Sequence, residues 1–238
     1  MDSRILSGLA FCAAAAVMVA CGGGGVKSGS PDATSGLGCS VATYAPNYVE
    51  TLRDSSGLGH FVVFPVTVYF DRGGTWSQAR EDAFIEGIQR WLDEFPVSSG
   101  PSFQITSDVN ADVRVSFAPQ STLGGSTVGL TTPRYFTSSR EISYSTVAIA
   151  TTNPSGSARS LSAIRNTSSH EMGHAVGIFG HSPTYADQMY AFDDGTNQGI
   201  VTNRDVNTLL TAYCGIFGRA DRSKKQKEGE LVAVEIRD

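Results

Sequence analysis

Hydrophobic and polar positions along the chain fall into runs of two periods. In PVTVYFD, residues 65–71, Val66, Val68 and Phe70 alternate with Thr67 and Tyr69, the period of two of a half-buried strand. The next run, TWSQAREDAFIEGIQRWLDEFP, changes period: Phe84, Ile88, Trp91 or Leu92, and Phe95 recur at helical spacing. Thr75 with Gln78 reads as a capping box at its start, and Pro96 stops it. Trp91 and Phe95 at that spacing are expected in the core rather than in a site. Four strand-like runs follow, FQITSD from Phe103, DVRVSFA from Asp112, TVGLTT from Thr127 and ISYSTVAIA from Ile142, parted by Gly, Pro and Ser clusters. Helical period returns in SARSLSAIRNTSSHEMGHAVG, through Leu161, Ile164, Met172, Ala175 and Val176. A last helix, TNRDVNTLLTAYCG, is capped by Thr202 and Asp205, packed through Val206, Leu209, Leu210 and Tyr213, and ended by Gly215. Beyond it comes the charged stretch RADRSKKQKEGE, and then LVAVEIRD, which alternates and can add an edge strand.

The order strand, helix, several strands, helix, loop, helix predicts an α+β fold: a twisted mixed β-sheet with an N-terminal helix, a motif-bearing helix and a C-terminal helix. The chain has 238 residues. Once both ends are trimmed, that leaves one domain of roughly 170 to 180 residues. We divide the chain at 1–20, 21–38, 39–217 and 218–238. The net charge of −5, with Lys and Arg scattered, offers no basic stripe or interleaved aromatics for nucleic acid.

The first twenty residues carry one arginine and then an apolar run from Ile5 to Val19, too short for a comfortable membrane span and laid out like a secretory signal. Its end, Met18-Val19-Ala20-Cys21, resembles the lipobox of bacterial lipoproteins, which implies lipid on Cys21. The alternative is an ordinary cleaved signal with an incidental cysteine. Residues 22–38, rich in Gly and Ser, read as a tether. The expected location is therefore the bacterial envelope, with membrane contact only through the anchor. Cys39 and Cys214 are then the remaining thiols, and an oxidising compartment favours a disulfide between them. The other reading makes Cys39 a latency thiolate on a metal, although no prodomain-like motif surrounds it.

Three of the four histidines fall in HEMGHAVGIFGHS, residues 170–182. His170 and His174, four apart on a helix, project from one face and can bind one ion together. Glu171 between them stands beside such an ion without binding it, where a general base is needed. Gly177 can turn the chain out of the helix, and His181 is the histidine on the return path. A catalytic zinc takes three protein ligands and keeps one position open, so His170, His174 and His181 are the expected set. Asp187, Asp193 and Asp194 are the carboxylate alternatives for the third place. His60, far upstream, reads as a loop residue.

These residues resemble the metzincin clan of zinc metallopeptidases, and within it the matrixin-like enzymes of peptidase family M10 type. Their motif His-Glu-x-x-His-x-x-Gly-x-x-His, often followed by Ser, maps onto His170, Glu171, His174, Gly177, His181 and Ser182. The family's third histidine would fall on Gly180, and here it comes one place later. A further match lies in DQMY, where Met189 stands as the family's Met-turn, the apolar floor beneath the histidines. RDVNTLLTAY is similar to the closing helix. The resemblance covers roughly residues 62 to 215, with its specific part in residues 170 to 190.

The resemblance implies a zinc endopeptidase acting on protein or peptide substrates, with one catalytic zinc, Glu171 as base, and ISYSTVAIA as the edge strand that binds substrate by strand addition. A monomer is expected. With no histidine between His60 and His170, the second, structural zinc of animal matrixins is not expected. The loops leave room for calcium without arguing for it. Two other readings stay open: a zinc hydrolase with a carboxylate third ligand, and a non-catalytic surface lipoprotein with a degenerate site.

Overall fold

The computed structural model describes residues 41–52, 57–96, 100–191, 199–216 and 229–238. The expected signal segment, Cys21, the tether and Cys39 lie outside them. Cys214 is disulfide-bonded. Among the described residues no helix is long and apolar enough to cross a membrane.

The architecture is α+β, with a mixed seven-stranded sheet and four α-helices among the described residues. In chain order the elements are β1 (Val66–Phe70), α1 (Gln78–Glu94), β2 (Phe103–Thr106), β3 (Val113–Ala118), α2 (Gln120–Leu123), β4 (Gly129–Phe136), β5 (Ile142–Ala150), α3 (Leu161–Val176), α4 (Asn203–Ala212), β6 (Leu231–Ala233) and β7 (Ile236–Arg237). The sheet runs β2-β1-β3-β5-β4-β6, with β7 also on β4. β2, β1, β3 and β5 are mutually parallel, while β4 runs antiparallel to β5. β6 and β7 run antiparallel along the outer side of β4.

This order corrects one expectation. ISYSTVAIA forms β5 over the expected residues, but β5 lies between β3 and β4 and has no free edge. The outer strand of the main sheet is β4, and the segment LVAVEIRD covers it. Within the segment set apart as 218–238, the alternating LVAVEIRD thus adds the edge strand that its pattern allows.

The alternation in β1 is visible as burial: Val66, Val68 and Phe70 are buried, while Thr67 and Tyr69 are half-exposed. That face carries α1, where Phe84 meets Phe70 edge to face with ring centroids 5.5 Å apart. Helix α1 begins later than its sequence pattern suggests. Ser77 is the cap, its hydroxyl accepting from Arg80 N, so Thr75 with Gln78 is not the capping box. The difference is two residues, and both candidates are hydroxyls in one turn. Trp91 is buried in the core, as its spacing predicts, and its indole N–H donates to Ser169 O at 2.8 Å. At Gly87 the backbones of α1 and α3 touch, because a Cβ there would come within 2.8 Å of Ser169 N. These contacts fix α3 against α1.

Helix α3 is capped by Ser160, whose hydroxyl accepts from Ala163 N, and ends at Gly177. Two side-chain bonds tie its last turns to the rest: Ser145 Oγ of β5 donates to Ala175 O at 2.8 Å, and Tyr213 OH donates to Val176 O at 2.8 Å. Helix α4 carries the expected capping box, with Thr202 and Asp205 each bonding the other's backbone N–H.

Gly177 has a positive φ of 138°, and a Cβ on it would come within 2.0 Å of Gly59 O. Residues 57–59 pair there with residues 177–179 through Gly59 N to Gly177 O and Phe179 N to Gly57 O, both 2.9 Å. No side chain fits between the two strands of backbone. Gly177→Ala is therefore expected to cost about 2 kcal/mol or more. Thermal unfolding should show Tm lowered by about 5 °C for a domain of this size, and an unchanged Tm would refute the close approach.

Candidate metal centre

Helix α3 presents His170, Glu171 and His174 from its buried last half, and all three are almost wholly inaccessible to solvent. Behind Gly177 the chain returns through Ile178, Phe179 and Gly180 to His181. The return loop is closed by Ser182, whose N–H donates to Met189 O at 2.7 Å and whose hydroxyl donates to Asp187. His181 arrives beside the pair despite its later position: its ring centroid lies 5.4 Å from that of His170 and 5.0 Å from that of His174.

The fourth member of the group was not among the candidates in the sequence. One ligand atom from each of His170, His174, His181 and Asp238 lies within 4.8 Å of the others. Asp238 Oδ1 is 2.6 Å from His181 Nε2 and 3.4 Å from His170 Nε2, and Oδ2 is 3.5 Å from His174 Nε2. Asp187, the nearest alternative carboxylate in the sequence, is engaged elsewhere, by Ser182, Thr202 and Arg204. Asp193 and Asp194 lie outside the described residues. His60 is buried but is not one of the group; its N–H donates to Arg140 O.

The proton positions follow from the neighbours. His170 Nδ1 faces Gln188 O at 2.7 Å, and His174 Nδ1 faces Ile178 O at 2.6 Å. A carbonyl only accepts, so each Nδ1 carries the hydrogen and, in a neutral ring, each Nε2 carries a lone pair. Those two Nε2 atoms are 3.0 Å apart. Two lone pairs at that distance repel. A cation among them, a proton or a metal ion, turns the approach into attraction, and three imidazoles with one carboxylate are a donor set suited to a divalent transition metal. The residues therefore fit a metal ion.

Burial sets the charge states around it. It is the largest influence on His174, pushing its pKa down to about 4, with His170 and His181 adding to the effect. Burial also opposes charge on His170, but there the Asp238 carboxylate and the Gln188 carbonyl outweigh it and raise the pKa. For Asp238 the three histidines overcome burial and hold the carboxyl well below the usual range. Glu171 is pushed well up, first by burial and then by the Asp238 carboxylate beside it.

The surroundings are built to hold these groups. Thr131 Oγ1 of β4 donates to Glu171 Oε2, while Glu171 Oε1 is buried with no hydrogen-bond partner among the described residues. A Cβ on Gly129 would lie 1.9 Å from that oxygen, so β4 passes directly against the carboxylate. Met189 is fully buried against α3, its sulfur 2.3 Å from where a Cβ on Gly173 would stand. Beneath it, Asp205 accepts from Gln188 N at 2.8 Å, Met189 N at 3.3 Å and Tyr48 OH at 2.9 Å. The cap of α4 thereby holds the carbonyl that orients His170. In the sequence Asp205 shows only its capping role, since the loop it anchors is fixed by tertiary packing.

No protein-family model matches the chain, and a comparison with curated proteins finds no match.

Replacing Asp205 with Ala strands three buried donors at once. It is expected to cost about 3 kcal/mol of stability and, by freeing Gln188, to weaken metal binding roughly 10- to 100-fold. Denaturant unfolding and a competitive chelator titration measure the two effects. Lost stability with unchanged metal affinity would mean that the cap does not orient His170.

Proposed function

We propose that this chain is a zinc-dependent endopeptidase of the matrixin-like, metzincin kind, exported and held at a bacterial envelope by lipid on Cys21. The observation that carries the reading is Glu171: a wholly buried carboxylate between two metal-competent histidines, gripped on one oxygen by Thr131 and, among the described residues, without a hydrogen-bond partner on the other. A purely structural metal site has no use for such a group, and burying it is costly. An N3O donor set favours zinc, with His170, His174 and His181 as its ligands. The Met189 floor and the return through Gly177 agree with the same resemblance.

When bound, zinc would supply Lewis acidity toward a water and a peptide carbonyl. The chain's residues do the rest. Glu171 takes the proton of the attacking water through Oε1 and hands it to the departing amine, and its raised affinity for a proton suits the first of these steps. Thr131 keeps that carboxylate aimed while the proton comes and goes. Gly129, lacking a side chain, lets the edge of β4 lie against the reacting groups, so an extended peptide alongside β4 is delivered to Glu171.

One observation favours a second reading. With Asp238 the group offers four donors, enough to close a tetrahedral ion, as in a non-catalytic surface protein. Changing Glu171 separates the two. Glu171→Gln is expected to leave about one zinc per chain by elemental analysis and to lower peptide cleavage at least about a hundredfold. His181→Ala should lose most of the zinc. Full cleavage in Glu171→Gln would remove Glu171 as the base, zinc with no cleavage in the parent or in any variant would establish the non-catalytic reading, and full zinc in His181→Ala would remove that histidine from the ligand set.

A further inference from the structure

The strand that covers β4 carries its own argument. The pairs Phe136 with Leu231, Tyr135 with Val232 and Arg134 with Ala233 keep one register with Thr131 and Ile236, and with Leu130 and Arg237. β6 and β7 are thus one continuous strand. The pairing is interrupted opposite Pro133, which has no N–H to give, although Val234 N still donates to Pro133 O at 3.2 Å. The same register continues to Asp238, whose N–H donates to Gly129 O at 3.1 Å and whose carbonyl accepts from Val128 N and Gly129 N.

This strand is held mainly by its backbone. Leu231, Ala233, Glu235 and Arg237 are exposed, Val232 and Val234 are half-buried, and Ile236 is the one apolar side chain it buries. Hydrophobic burial, the main source of strand stability, is therefore small. Its other inward group is a carboxylate. Asp238 enters the metal centre at 10% side-chain exposure, touches all three histidines, and leaves Oδ2 buried without a hydrogen-bond partner among the described residues. A segment that served only to complete the sheet would have no reason to bury an acid at that point.

We infer that residues 230–238 are an intramolecular latch: they occupy the peptide groove along β4 and place Asp238 in the fourth position of the metal centre, so that the site is closed until the strand leaves. The latch rests on the endopeptidase reading for what it blocks, but the strand docking itself does not. It also assigns the direction of an incoming peptide, antiparallel to β4, with the residue opposite Gly129 nearest to Glu171. Departure of the strand leaves three histidines and one open position, the arrangement that catalysis needs. Its backbone bonds are exchanged for those of the incoming peptide, so opening and binding compete for the same edge.

The test uses the full chain with Asp238→Ala and, as the isosteric form, Asp238→Asn. The probe is a fluorescent peptide of residues 230–238 added in trans, read by anisotropy, with zinc content and cleavage of a mixed peptide library followed in parallel. If the latch is closed nine-tenths of the time in the parent, peptide affinity should rise about tenfold in both variants. Zinc should stay at about one per chain, and cleavage should rise by a similar factor. Tighter peptide binding with no cleavage in any form would keep the latch and remove the endopeptidase reading. Zinc lost as completely as in His181→Ala would make Asp238 a permanent ligand and overturn the latch. Retained zinc with unchanged peptide affinity and unchanged cleavage would overturn it as well.

Discussion

Two hydrogen bonds from imidazole to backbone govern the centre of this molecule. With Nδ1 of His170 committed to Gln188 O and Nδ1 of His174 to Ile178 O, both Nε2 lone pairs are forced toward one point. Left to themselves they would swing apart. The structure prevents this through rigid supports on every side: Gly177 turns the chain so that Ile178 O faces back to the helix, and Asp205 clamps the loop that offers Gln188 O. The two supports come from different elements, one continuous with α3 and one from the cap of α4. The energy of packing and capping is in this way used to hold a repulsive arrangement that a cation relieves.

Much of this was written locally in the chain. The i, i+4 histidines on a helix, the glycine that ends it, the Thr202 and Asp205 cap and the strand alternation of β1 each depend on neighbours a few residues away, and each appears where the pattern places it. His181 joins its partners in spite of the additional Gly180, because the loop is fixed at both ends, by the pairing at Gly59 and by the bond from Ser182 to Met189. Ser77 rather than Thr75 caps α1, a choice between two hydroxyls that propensity does not resolve.

What the chain did not disclose depends on the order of strands in space. β5 has in Ser143 to Thr146 the polarity of an exposed edge, yet lies inside the sheet, where Ser145 Oγ finds a backbone partner on α3. The place of β4 as the outer strand, and of LVAVEIRD upon it, follows from pairing over about a hundred residues of sequence separation. No local period carries that information. Asp238 therefore looked like the acid that ends an alternating run, and Thr131 like one more strand threonine.

Pro133 has a consequence beyond its own strand. An edge with every N–H and C=O free is a template for a foreign strand, and proline is one of the residues that blunt it. Here the interruption falls in the middle of β4, dividing its outer side into a short stretch at Gly129 to Thr131 beside the histidines and another at Arg134 to Phe136. A sheet from a second molecule could not zip along the whole strand, whereas a single flexible chain can bend across the gap. The same missing hydrogen thus leaves the edge open to a single chain that can bend, as residues 231–237 do, and blunts it against a rigid sheet of another copy.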